Sequence, residues 1–167
     1  MDILKEPIWK HCRNKLYTID QGASVEEAAK IMKQNSIGSV LILAGDNAIG
    51  IVTQRDIINR TVARGKNPSE IKVSTIMSTP LITINKDETL EKALDVMEKN
   101  KIRRIVVVDE KNKLYGISVE LKICGDLLDE QIGTSAPEVR SWLDRYVTKF
   151  TDSQLKRFPW IEEELKT

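Results

Sequence analysis

Apolar residues recur along the chain with two different periods, and the two alternate in a fixed order. Val25, Ala28, Ala29 and Met32 fall on one face of a helix. Ser24 followed by Glu27 is the capping-box pattern that fixes where that helix begins. Two apolar runs come next, SVLIL from Ser39 and AIGIVT from Ala48, and they predict adjacent strands joined through AGDN. Their near-continuous apolarity implies strands covered on both faces. RDIINRTVARG then predicts a second helix ending at Gly65.

The same pattern returns 65 positions later, with no gap between Leu16 and Leu43. Thr18 and Ile19 fall on Thr83 and Ile84, and Ala28, Met32, Asn35 and Ile37 fall on Ala93, Met97, Asn100 and Ile102. The second helix carries its apolar stripe at Leu90, Ala93, Leu94 and Met97, followed by RIVVV, DEKNK, LYGIS and the fainter helical pattern ELKICGDLLDE. Internal repetition of this kind determines architecture more firmly than any single motif. The fold class is therefore α+β, built from two repeated β-α-β-β-α units. We divide the chain into an N-terminal segment (1–12), a first repeat (13–66), a linker with the second repeat (67–130), and a C-terminal tail (131–167). The linker NPSEIKVSTIMSTP carries Pro68 and Pro80 as breakers.

Composition narrows the function classes without naming one. At 167 residues the chain suits one domain or two small associated units, and its formal charge of +1 advertises neither nucleic acid nor an anionic membrane. No apolar run approaches the roughly 20 residues that span a bilayer, and the first residues lack a signal peptide's apolar centre, so we expect a cytoplasmic protein without a membrane partner. Cys12, Cys124 and the single histidine, His11, cannot make a standard zinc site, and we expect two free thiols. No base, nucleophile or metal constellation supports catalysis, so we read the chain as a binding module rather than an enzyme.

The doubled strand-helix-strand-strand-helix order, IMSTPLITI (Ile76 to Ile84), NKIRRIVVVDE (Asn100 to Glu110) and GIVTQRD (Gly50 to Asp56) together resemble a tandem pair of cystathionine-beta-synthase (CBS) domains over roughly residues 10 to 130. The resemblance implies a pseudo-twofold module, a homodimer, and an adenosine-containing regulatory ligand, AMP, ADP or ATP, in the cleft between repeats. S-adenosylmethionine is the alternative ligand, and a constitutive scaffold with a vestigial cleft is the alternative function.

Thr53 and Asp56 stand three apart at a strand-to-helix turn, where first-turn N–H groups favour an anion and a carboxylate can accept from both hydroxyls of a ribose. The same spacing is also a capping box serving only the helix. Val119 and Lys122 replace the pair in the second copy, so one working cleft is expected rather than two. The resemblance implies that the cleft is completed by Leu81, Ile82 and Thr83 and by Arg103 and Arg104, whose guanidinium forks suit phosphate oxygens. Those arginines also fit a charged strand edge that discourages pairing with other sheets. Lys122 either adds charge to a polyphosphate or is a solvated helix residue.

Beyond the repeats, Val139, Trp142, Leu143, Tyr146, Val147 and Phe150 keep helical spacing behind a Ser135–Glu138 capping pattern. This stripe either packs on the module or its dimer partner, or docks an effector protein through residues 135–167 together with the Trp9 segment.

Overall fold

The computed structural model describes residues 3–120. Lys122, Cys124, the pattern ELKICGDLLDE beyond Glu120, and the apolar stripe of the tail lie outside the described residues.

Each repeat forms a three-stranded sheet with a helix on it. In the first, β1 (Thr18–Asp20) pairs in parallel with β2 (Ser39–Ala44), which pairs antiparallel with β3 (Asn47–Thr53). In the second, β4 (Thr83–Asn85), β5 (Arg104–Val108) and β6 (Leu114–Val119) repeat that order and those directions. A parallel neighbour needs a crossover, which α1 (Val25–Asn35) and α3 (Leu90–Lys99) provide. The register shift between Ile42 and Leu43 recurs between Val107 and Val108, so even the irregularity is duplicated. The β5–β6 connection is one residue longer than its counterpart, which moves the offset between copies from 65 to 66 beyond it.

Ser24 caps α1 in the reciprocal arrangement predicted from the sequence: its hydroxyl accepts from the Glu27 N–H at 3.2 Å, and the Glu27 carboxylate accepts from the Ser24 N–H at 2.7 Å. The helix after β3 is shorter than its pattern suggests. Labelled α2, it spans Gln54–Arg60, and the chain leaves helical geometry at Thr61 (φ −123°, ψ −68°) before a 3-10 turn over Val62–Arg64. Two β-branched residues, Thr61 and Val62, sit at the break, where restricted side-chain rotation weakens helix continuation. Gly65 ends the turn at φ 64°, a left-handed conformation that glycine adopts without a Cβ penalty.

The cores are completed crosswise. Ile3, Leu4 and Ile8, in two 3-10 turns ahead of the first repeat, are buried against Leu90, Leu94 and Met97 of the second. Val73 and Ile76, in the linker ahead of the second repeat, are buried against Val25, Met32 and Val52 of the first. Backbone pairing carries the same symmetry. The Ile8 N–H donates to the Glu88 carbonyl at 2.8 Å and the Val73 N–H to the Ala23 carbonyl at 2.9 Å; Arg13 bridges Ile117 as Ser78 bridges Ile51. Gly50 and Gly116 admit these segments. A Cβ on Gly50 would stand 2.9 Å from the Ser78 carbonyl oxygen, and one on Gly116 would stand 2.9 Å from that of Arg13.

Between the two sheets lies a third core of Leu41, Val106 and Val108, with Leu16, Ile51, Leu81 and Leu114 around it. Burial of this seam joins the repeats into one unit. Among the described residues, no helix is long and apolar enough to cross a membrane.

Candidate functional site

The end of β3 and the first turn of α2 are tied by a reciprocal cap. The Asp56 N–H donates to Thr53 Oγ1 at 3.2 Å, while Asp56 Oδ2 accepts from the Thr53 N–H at 2.9 Å and from its hydroxyl at 2.7 Å. The second oxygen, Oδ1, lies 3.3 Å from Arg60 Nη2. Of the two chemistries that the Thr53–Asp56 spacing allows, the cap is formed, and Asp56 is only 8% exposed. Oδ2 is committed to the cap and, among the described residues, Oδ1 meets Arg60.

Beside this turn a cleft of about 320 Å³ opens between the repeats, lined by Gly38, Gln54, Arg55, Ile58, Asn59, Arg103 and Arg104. The α2 contributors recur at positions one, two, five and six of the helix, so they share one face, with Asp56 on its border. Gly38 makes room. A side chain there would run into the Arg104 guanidinium, which occupies the space above it. The counterpart of Gly38 in the second repeat is Arg103 itself.

Arg104 begins β5 and pairs with Val119 in the sheet. Its guanidinium is half-buried, and among the described residues it makes no hydrogen bond or ion pair. Burial and then the adjacent Arg103 charge push it below the ordinary arginine value; the Asp56 carboxylate opposes them without balancing them. Arg103, Arg104 and Arg55 thus line one cleft, and the carboxylate on its border, Asp56, is already engaged.

The residues expected from sequence are only partly gathered here. Arg103 and Arg104 line the cleft. Asp56 and Thr53 flank it through the cap. Leu81 packs in the seam between the sheets, Ile82 packs on the second repeat's core, and Thr83 is exposed at the start of β4; none of the three lines the cleft. Sequence reasoning passed over Gly38, Gln54, Arg55, Ile58 and Asn59. Their signals were a glycine where the other copy has arginine, and polar residues grouped on one face of α2.

Known proteins match in sequence and in shape. The CBS domain model matches residues 8–62 and 73–117, one segment for each repeat. An uncharacterized protein of Methanopyrus kandleri is 41% identical over 100 residues, 58% of this chain and 51% of that protein, so the chain spans about half the length of this relative. The crystal structure of an uncharacterized conserved protein from Pyrococcus horikoshii superposes with a TM-score of 0.68 at 31% identity, covering 80% of this chain and 97% of that one. The CBS domain pair of protein MJ0100, solved in complex with 5-methylthioadenosine and S-adenosyl-L-methionine, gives a TM-score of 0.66 at 25% identity over 75% of this chain and 97% of that one. With two matched segments, two sheets of the same strand order and a duplicated register, the chain belongs to the CBS domain family and carries its domains as a tandem pair.

Proposed function

We propose that the cleft between the repeats binds a phosphorylated adenosine, AMP, ADP or ATP, and that the module acts as a regulatory ligand sensor. The observation that carries this reading is Arg104. A half-buried cation with a like charge beside it is costly, and a phosphate would supply paired, charge-assisted hydrogen bonds. Arg103 and Arg55 stand where further phosphate oxygens would be met.

The adenosine part draws its support from Asp56 and from the MJ0100 domain pair, whose two ligands share an adenosyl group. Asp56 Oδ1 retains lone pairs for ribose hydroxyls beside its contact with Arg60. Three guanidiniums favour a phosphorylated ligand over S-adenosylmethionine, whose sulfonium and ammonium would add positive charge to a cleft already rich in it. Regulation then requires the nucleotide to bind one arrangement of the repeats better than another.

Thermal unfolding with adenosine, AMP, ADP, ATP and S-adenosylmethionine tests the reading, since a ligand at 100 times its dissociation constant stabilises by about 2.7 kcal/mol. ADP and ATP are expected to raise the transition most. Arg104→Met should leave the ligand-free protein no less stable, shrink the advantage of ADP over adenosine, and leave the adenosine response in place. If S-adenosylmethionine matches ADP, the phosphate assignment fails. If no adenosine compound moves the transition, the module is a scaffold.

A further inference from the structure

Arg60 reaches from the last turn of α2 in two directions. Its Nη2 lies 3.3 Å from Asp56 Oδ1. Its Nη1 donates to the Ile76 carbonyl at 2.6 Å and to the Met77 carbonyl at 3.1 Å, and Nη2 donates to Ser78 Oγ at 3.4 Å. Ile76 to Ser78 is the stretch that closes the first repeat's core and then leads into β4, so one side chain touches both the border of the cleft and the connection between repeats.

The second repeat meets the same structural need differently. The counterpart of the Ile76 carbonyl is the His11 carbonyl, 65 positions earlier, and it accepts from the buried Ser118 hydroxyl at 2.9 Å. Ser118 occupies the place of Val52, and the position corresponding to Arg60 in the sequence is Asp126, whose ionised side chain is an acceptor with no proton to give a carbonyl. In one copy a neutral hydroxyl inside the sheet donates to the covering segment. In the other the donor is a cation that also faces the ribose-binding candidate.

We propose that Arg60 is a positioning residue that couples occupancy of the cleft to the segment joining the two repeats. This rests on the assignment of Asp56 to ribose and adds the route by which binding is felt elsewhere. A ribose hydroxyl donating to Asp56 Oδ1 shares that oxygen with Arg60, since a carboxylate oxygen carries two lone pairs. The carboxylate, fixed by the ribose, then holds the guanidinium on the Ile76 and Met77 carbonyls and tightens the segment. Removing Arg60 would free Asp56 to move within its cap, and it would cut the segment loose from the cleft.

Calorimetry with adenosine and ADP, combined with amide hydrogen exchange, tests the coupling. Arg60→Lys, which keeps the charge and loses the fork, is expected to weaken adenosine and ADP by the same factor, about tenfold. Arg104→Met weakens ADP alone. In an Asp56→Asn background Arg60→Lys should add no further loss, because both act through one contact. ADP should slow exchange at the Met77 and Ser78 amides of the wild-type protein by about threefold or more, and leave Arg13 and Ile117, on the equivalent bridge of the second repeat, unchanged. This measurement needs no variant. ADP binding without a change at Met77 and Ser78 would overturn the coupling and leave the nucleotide assignment standing. So would an Arg60→Lys loss that persists in full after Asp56→Asn. Absence of any binding of adenosine or ADP would overturn both readings.

Discussion

The two repeats share a backbone and differ in chemistry, and the division between the two falls along clear lines. Positions that set the fold agree: the helix stripes, the strand registers, the shifted pairing at Ile42 and Val107, and the glycines at 50 and 116 that admit the crossing segments. Positions around the cleft disagree. Gly38 corresponds to Arg103, Thr53 to Val119, Asp56 to Lys122, and Arg60 to Asp126. The last two pairs reverse their charges, so the salt bridge of the first copy is swapped end for end in the sequence of the second. Packing constrains both copies alike, whereas a ligand seat needs only one set of polar groups. The divergent positions are therefore where function is to be sought.

Core truncations in the crossed segments break the comparison hardest. Ile8→Ala and Ile76→Ala each remove a buried side chain and should each cost about 2–5 kcal/mol in urea unfolding. The damage should appear in the opposite repeat to the one the segment precedes. Amide exchange should quicken at 105–108 for Ile8→Ala and at 40–43 for Ile76→Ala, and the reverse assignment would refute the crosswise core. Gly50→Ala and Gly116→Ala follow, at about 1–3 kcal/mol each, because the Ser78 and Arg13 carbonyls cannot retreat without breaking their bridges. Similar losses in both would sharpen the equivalence.

Thr53→Val copies the second repeat's residue into the first. It removes the acceptor for the Asp56 N–H and should cost about 1 kcal/mol. The smallest effect concerns acid. Hydrogen bonds from Lys10 and then His11 hold the Glu6 carboxyl below its ordinary value. A carboxyl lowered in the folded state contributes stability that is present above the ordinary carboxylate range and is lost as pH falls through its folded value. Glu6→Gln should therefore flatten the acid side of a Tm-against-pH profile slightly and leave neutral pH nearly unchanged.

Much of the architecture is written in local periodicity. The stripes of α1 and α3, the apolar runs of β2 and β5 and the Ser24–Glu27 cap depend on neighbours a few residues away, and they are where the pattern puts them. The crossed cores are not local. Nothing in the spacing of Ile3, Leu4 and Ile8 says that their partners begin at Ile84, because that pairing is a property of tertiary contacts alone. The cleft was legible in part for the same reason. Arg103 and Arg104 stand out as adjacent charges before a buried strand, whereas Arg55 and Asn59 look like any solvated helix face until Gly38 is seen opposite them. At Asp56 the spacing admits two chemistries, and only the hydrogen bonds reveal the cap.

The crosswise cover also orders events during synthesis. The linker strip that completes the first repeat is made directly after that repeat, so this half can close as soon as Ser78 has emerged. Ile8, made ahead of the first repeat, finds its hydrogen-bond partner only at Glu88, a wait on the order of ten seconds at ordinary ribosomal rates. Until then its apolar strip is without a home, and a nascent chain halted midway would carry a finished half beside an exposed, sticky ribbon.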